Sequence, residues 1–85
     1  MATLAINPWD RRDEDPAMFE RLKAEMMEDY RNAVKLLQHD DREVAQYLYG
    51  HGDACKALLE EMFEYNPEQE IEELDGLLAI LEEEL

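Results

Sequence analysis

The C-terminal third of the chain repeats apolar residues at alternating steps of three and four, and this spacing restricts it to a helix. The repeat consists of Ile71, Leu74, Leu78, Leu81 and Leu85. Such steps return to one side of an α-helix, so these residues form a single apolar stripe. We call four of them the leucine seam, because they could pair with a second copy or with another helical protein: Ile71, Leu74, Leu78 and Leu81.

The same part of the chain is strongly acidic. Residues 57–85 contain eleven Asp and Glu residues and no Lys or Arg, and the whole chain has 23 acids against 8 bases, a net charge of −15 at pH 7. Affinity for nucleic acid or for an anionic membrane comes mainly from Lys and Arg, so direct binding to either is not expected. The 46% content of hydrophobic residues is typical of a folded domain and not of a disordered acidic tail.

Capping residues divide the chain into predicted helices. Asp15–Pro16 and Asn66–Pro67 each combine a side chain that can cap free backbone N–H groups with a proline suited to the first helical turn. Asp40 and Glu43 have the spacing of a capping box. The predicted segments are an N-terminal arm at 1–15 and helices at about 16–38, 41–65 and 67–83.

These segments predict an all-α fold, an antiparallel helical hairpin plus a C-terminal helix that together form a three-helix bundle. The arm is expected to be extended, because Pro8 and Pro16 disfavour helix in the residues before them. Its Trp9 either packs on the bundle or anchors a partner. Gly50 and Gly52, in the middle of the second helix, indicate either a close helix crossing or a break.

The helical pattern also predicts which residues point inward. Among the tyrosines, Tyr30 and Tyr47 are expected in the core and Tyr49 and Tyr65 at the surface. The residues of the second helix predicted to face inward are Val44, Tyr47, Leu48, Cys55, Leu58, Leu59, Met62 and Phe63.

The sequence supports catalytic or metal-binding residues less strongly than it supports the helices. The histidines and nearby acids (His39, Asp40, Asp41, His51 and Asp53) lack a His/Glu pair at four-residue spacing, so we interpret them as solvated or capping residues. His51, one turn before Cys55, could lower the pKa of its thiol, but a small buried residue on the apolar stripe is the preferred interpretation. We therefore predict no enzyme, cofactor or metal.

The compartment is predicted from what the sequence lacks. One cysteine cannot form an intramolecular disulfide and fits a reducing environment. The N-terminal residues lack the apolar core of a signal peptide, and no run is long enough for a transmembrane helix. We predict a cytoplasmic protein.

The acidic surface remains as the predicted functional feature. If the third helix folds back along the end of the second, the eleven carboxylates of residues 57–85 lie along roughly 25 Å, or about one per 2.3 Å, against about 1.7 Å per phosphate in duplex DNA. A solvated surface that keeps the protein soluble is the plainer alternative. The predicted partner-binding residues are Glu60, Glu61, Glu64, Glu68, Glu72, Glu73 and Asp75.

One stretch resembles a known class of proteins. Residues 29–73, DYRNAVKLLQHDDREVAQYLYGHGDACKALLEEMFEYNPEQEIEE, resemble the helical hairpins of small accessory proteins encoded by bacteriophages. The whole chain is similar in character to phage proteins that disable host nucleic-acid-binding machinery, including anti-CRISPR proteins and other DNA mimics. The resemblance implies the kind of target and assigns no residue.

Two functional hypotheses follow. The first is a non-enzymatic inhibitor or regulator, encoded by a phage and acting in the host cytoplasm, whose acids occupy a basic nucleic-acid-binding site on a host protein. The second is a structural or assembly module, such as a homodimer, that pairs through the leucine seam.

Overall fold

The computed structural model describes residues 15–85, and these form an all-α fold, as predicted. The helices are α1 (Pro16–Gln38), α2 (Arg42–Phe63), α3 (Pro67–Glu70) and α4 (Glu72–Glu84). The predicted N-terminal arm and Trp9 lie outside the described residues. Within the described part, no helix is both long enough and apolar enough to cross a membrane.

Helices α1 and α2 form the predicted antiparallel hairpin. Phe19 contacts Phe63 far from the turn, while the Tyr30 hydroxyl meets Asp53 closer to it. The turn has Asp40 in a left-handed conformation with φ 60°, and the Asp41 side chain accepts a hydrogen bond from the Val44 N–H at 3.4 Å. The capping residue of α2 is therefore Asp41, one position after the predicted Asp40.

The end of α2 comes two residues earlier than predicted. Glu64 adopts a left-handed conformation with φ 53°, and the Tyr65 N–H donates to the Leu59 carbonyl at 3.1 Å. This hydrogen bond provides a partner for a backbone carbonyl at the end of the helix. Asn66 then caps α3 by accepting from the Glu68 N–H at 3.2 Å, and Pro67 occupies the first turn, as the sequence predicted.

The predicted single helix at 67–83 is divided at Ile71. Ile71 is extended, with φ −115° and ψ 101°, and its N–H donates to the Pro67 carbonyl at 2.8 Å. The extended residue changes the chain direction between α3, which contacts α2, and α4, which contacts α1. Ile71 and Leu74 continue the three-four spacing across this break, so the apolar pattern did not reveal it.

The core lies between α1, α2 and α4. Leu74, Leu78 and Leu81 of the leucine seam are buried in it, and Ile71 is half-buried against it. Tyr30, Phe63 and Met26 are among its largest fully buried side chains. Among residues 15–85, the buried hydrophobic residues are Leu22, Met26, Met27, Tyr30, Ala33, Ala45, Cys55, Leu59, Phe63, Tyr65, Leu74, Leu78 and Leu81.

Several predicted orientations on α2 are wrong. Val44, Tyr47 and Leu58 were predicted to face inward, yet they are 43%, 71% and 39% exposed. The buried line of α2 instead follows small residues where α1 comes close, beginning with Ala45 and Gly52. Leu48, Tyr49 and Met62, on either side of that line, are half-buried against the core.

Tyr65 is also placed wrongly by the sequence, since it is buried and not exposed. Its ring meets the Phe19 ring edge-on with centroids 5.1 Å apart. The left-handed Glu64 folds the chain back at the end of α2, which brings the Tyr65 ring to the core. Tyr30 is buried as predicted, and Tyr49 is half-buried.

Gly52 marks a close helix crossing, the first of the two predicted alternatives. A Cβ atom at this position would lie 2.9 Å from Cε1 and 3.1 Å from Cδ1 of Tyr30. At Gly50 no other atom lies within 4 Å of the corresponding point. Helix α2 continues unbroken through both glycines.

Candidate functional site: an acidic groove

The acidic groove lies between α2 and the pair α3 and α4. It encloses about 230 Å³. Four carboxylates from three helices line it, together with one lysine ammonium group and the side chains of one tyrosine, one leucine and one alanine. Its lining residues are Tyr49, Asp53, Lys56, Ala57, Glu60, Glu68, Leu78 and Glu82.

Helical spacing places the acids of this groove. Asp53 and Glu60 are seven residues apart on α2, which returns them to nearly the same side of the helix. Glu68 comes from the first turn of α3. Glu82 is carried by α4, whose position is fixed by the buried members of the leucine seam.

Lys56 joins two of the acids. Its Nζ lies 2.9 Å from Oε1 of Glu68 and 3.8 Å from Oε1 of Glu60. Burial lowers the pKa of Lys56. The hydrogen bond to Glu68 and the charges of the nearby acids Glu68, Glu60 and Asp53 raise it by a larger amount, so the net shift is upward. Lys56 is therefore charged at neutral pH and offsets one of the four carboxylates.

Asp53 is held by a buried tyrosine. The Tyr30 hydroxyl donates to Oδ1 of Asp53 at 2.5 Å. Burial, the hydrogen bond and the negative charge of Asp53 raise the pKa of Tyr30, so the hydroxyl keeps its proton. On the other side of the groove, burial and the charges of Asp53 and Glu82 raise the pKa of Tyr49. The carboxylate of Asp53 thus has a fixed position above the core.

The structure separates the predicted partner-binding residues into groups. Glu60 and Glu68 are brought together at Lys56. Glu73 faces α1, where its oxygens accept from Nη2 of Arg31 at 2.5 Å and from Nε at 3.1 Å, which lowers the pKa of Glu73. Glu61, Glu64, Glu72 and Asp75 are exposed.

The stretch without bases is partly neutralised by bases from α1 and α2. In addition to the Lys56 and Arg31 contacts, Nη2 of Arg42 lies 3.4 Å from Oε2 of Glu84. Apart from the Lys56 to Glu60 contact, which spans four residues, these pairs join residues far apart in the chain, so the sequence alone could not assign them.

Helix α4 continues the acidic groove outward. Asp75 and Glu82 are seven residues apart and share one side of α4, while Glu72 and Glu83 point away from the core at about 100° per residue. Within residues 15–85, these four side chains form no ion pair. The predicted set omitted Asp53 and Glu82. The seven-residue spacings Asp53 to Glu60 and Asp75 to Glu82 are the signals that could have identified them.

The leucine seam is occupied within its own chain. Leu74, Leu78 and Leu81 pack in the core, where α4 contacts α1. Pairing of these side chains with another molecule would require α4 to leave the core. The large hydrophobic residue that α4 exposes is Ile80, which lies outside the seam.

A second cluster of polar side chains joins α1 and α2. Ligand atoms of Asp29, His51 and Cys55 all lie within 4.8 Å of one another. The sequence analysis paired His51 with Cys55 as a possible activated thiol and did not include Asp29, which lies 22 residues before His51. The hairpin brings the three residues together.

Comparisons with known proteins complete the description of the site. No protein-family model, curated protein or solved structure matches the chain. The resemblance to phage accessory proteins stays a prediction from sequence.

Proposed function

We propose that this protein is a non-enzymatic inhibitor or regulator that occupies a basic, nucleic-acid-binding site on another protein. The carboxylates of the acidic groove, with Asp75 beside them on α4, take the place of backbone phosphates. The observation that carries the proposal is the convergence of four carboxylates from α2, α3 and α4 on one groove. A surface kept acidic for solubility alone does not require such convergence.

The spacing of the acids supports this proposal. A seven-residue separation on a helix corresponds to about 10 Å, close to the rise of about three nucleotides in one strand of DNA. The pair Asp53 and Glu60 and the pair Asp75 and Glu82 both have this separation. Two facing helices thus present carboxylates at distances that suit a row of Lys and Arg side chains.

Anchoring of the acids also supports it. Asp53 accepts the Tyr30 hydrogen bond, and Glu68 contacts Lys56. For Glu82, the buried side of α4 fixes the backbone position. Ordered carboxylates lose less conformational entropy on binding than those on a flexible tail. The net charge of −15 would in addition speed association with a basic partner and make binding sensitive to salt.

The resemblance to phage proteins extends the proposal to a source and a target. We infer that the protein is phage-encoded and acts in the host cytoplasm on a basic nucleic-acid-binding protein or complex, in the manner of an anti-CRISPR protein. A CRISPR effector complex is therefore the first target to test.

Competition with DNA tests this function. Fluorescently labelled duplex DNA is bound to each member of a panel of bacterial DNA-binding proteins and CRISPR effector complexes, and release is followed by anisotropy as the protein is added. We expect release from at least one member at low salt, weaker release as salt rises, and less release by polyglutamate of matched total charge. Affinity for a panel member that does not change with salt, or simultaneous binding of DNA and the protein, would contradict the proposal.

The assembly-module hypothesis requires a different event. Because Leu74, Leu78 and Leu81 are buried in their own chain, α4 must detach before the leucine seam can pair with another copy. Sedimentation over a wide concentration range tests the homodimer form of this hypothesis, because pairing through the seam raises the sedimenting mass as the concentration rises.

A further inference from the structure

The cluster Asp29, His51 and Cys55 has the donor atoms of a metal site. His51 and Cys55 are four residues apart on α2, the spacing that puts two side chains on one helical face. Asp29 reaches them from α1, and its Oδ2 contacts Nδ1 of His51. The three ligand atoms lie within 4.8 Å of one another.

The cluster is separate from the acidic groove. At about 100° per residue, His51 and Cys55 fall on one flank of the buried line of α2, and Asp53 and Glu60 fall on the opposite flank. Ligand binding at the cluster is therefore independent of the proposed function.

We propose that Asp29, His51 and Cys55 bind a zinc ion that joins α1 to α2. A thiolate, an imidazole and a carboxylate are the ligands that Zn²⁺ takes in proteins, and three protein ligands leave a fourth tetrahedral position for water. Thiolate favours this ion over magnesium or calcium, which prefer oxygen ligands alone.

The geometry needs only a small adjustment. Zinc bonds of about 2.0 to 2.3 Å place tetrahedral ligand atoms roughly 3.5 Å apart. The widest separation of 4.8 Å must therefore shorten by about 1.3 Å. The His51 side chain is 50% exposed, so it can rotate toward the metal and leaves an open path from solvent.

The charges around Cys55 favour a cation. The negative carboxylates of Asp29 and Glu25 act on the buried Cys55 thiol and attract a positive ion to it. A bound Zn²⁺ displaces the thiol proton to solvent as the Zn–S bond forms, and the charges of the thiolate and Asp29 balance that of the metal. Cys55 is only 4% exposed, so a substrate would reach it less readily than a small ion that binds through His51.

Cobalt substitution tests the site with a spectroscopic readout. The full-length protein, kept reduced, is titrated with Co²⁺ and then with Zn²⁺ while absorbance and the thermal midpoint are recorded. We expect one Co²⁺ per chain, a thiolate-to-cobalt charge-transfer band, loss of that band on addition of Zn²⁺, and a higher thermal midpoint with either ion.

Matched variants assign the ligands. His51→Asn should weaken Co²⁺ binding on the order of 100-fold, which is the upper end of the loss seen when a residue that hydrogen-bonds to a metal ligand is removed. Cys55→Ser should abolish the charge-transfer band. The controls are His39→Asn, which changes the other histidine of the chain, and Glu28→Gln, next to Asp29, both at exposed positions. Both should bind as the wild type does.

Either of two results would contradict a zinc site. Absence of a thiolate band, or equal losses in His51→Asn and His39→Asn, would show that Asp29 and His51 form only an ion pair and that Cys55 is only a core residue. Because His51 is exposed, His51→Asn should stay folded, and circular dichroism verifies this before titration.

Discussion

At the scale of single residues, Gly52 sets how closely α2 approaches α1. The Tyr30 ring lies over Gly52, is fully buried, and is tied at its hydroxyl to Asp53. The ring therefore cannot move aside at small cost to admit a side chain at position 52. Gly50, two residues earlier, meets no such neighbour.

Alanine at these two glycines should have opposite effects. Gly52→Ala places a Cβ atom 2.9 Å from Tyr30 and should destabilise the protein by about 1 to 3 kcal/mol. Gly50→Ala gains helix propensity and should stabilise it by up to about 1 kcal/mol. Urea unfolding measures both, and a Gly52→Ala protein as stable as Gly50→Ala would contradict the close crossing.

The Tyr30 hydroxyl links stability to high pH. Its raised pKa means that the folded protein keeps the proton when the unfolded chain, with a pKa near 10, loses it. The stabilising contribution is therefore complete below about pH 10 and decreases as pH rises above that value.

Removal of this hydroxyl should change the pH dependence of unfolding. At pH 7, Tyr30→Phe should lose about 1 kcal/mol with the hydrogen bond to Asp53. Above about pH 10, the wild type should lose stability more steeply than Tyr30→Phe. The control is Tyr47→Phe, which alters a 71% exposed ring and should match the wild type at every pH. Parallel curves for the wild type and Tyr30→Phe would rule out this linkage.

At the scale of elements, the docking of α4 positions Glu82 and Asp75. Leu81 is fully buried beneath the helix, whereas its neighbour Ile80 is 43% exposed. Substitutions at these two positions therefore distinguish the stability that core packing provides from the stability that an exposed contact provides.

Truncation of these two side chains tests where α4 packs. Leu81→Ala should destabilise the protein by about 2 to 5 kcal/mol, because it leaves a cavity. Ile80→Ala should change stability by roughly 0.5 kcal/mol. Both variants should sediment as the wild type does. If Leu81→Ala instead dissociated a dimer and left monomer stability unchanged, the leucine seam would be an intermolecular interface.

The elements could be predicted from sequence to different degrees. Asp15–Pro16 and Asn66–Pro67 are local signals, and the helices begin where they predict. The break at Ile71 and the outward turn of Val44 and Leu58 depend on contacts between distant residues. Local periodicity carries no information on such contacts.

The candidate sites show the same limit. The acids of the groove could be counted from sequence, and the Lys56 to Glu60 pair has a local four-residue spacing. The pairing of Glu68 with Lys56, and of Glu73 with Arg31 outside the groove, depends on the packing of the helices. The Asp29, His51 and Cys55 cluster could be found only in part, since the His51 to Cys55 spacing is local and Asp29 lies on another helix.

At the scale of the whole molecule, the charge imbalance should affect stability and binding in opposite directions. With 23 acids against 8 bases, repulsion among carboxylates outweighs the surface ion pairs. Salt screens that repulsion, so the thermal midpoint should rise between about 0.05 and 0.5 M NaCl. Affinity for a basic partner should fall over the same range. A falling midpoint would show that ion pairs such as Arg31 to Glu73 dominate.

The most direct test of the central claim compares two double variants of equal charge in the DNA-release assay. Asp75→Asn with Glu82→Gln neutralises acids at the groove, and Glu28→Gln with Glu43→Gln neutralises exposed acids elsewhere. If the groove replaces phosphates, the groove variant should need about tenfold more protein for half-release, or roughly 1.4 kcal/mol, with a salt slope smaller by about 2. The control variant should act as the wild type does. Equal effects of the two variants would contradict a specific role for the acidic groove and leave only the total charge of the protein.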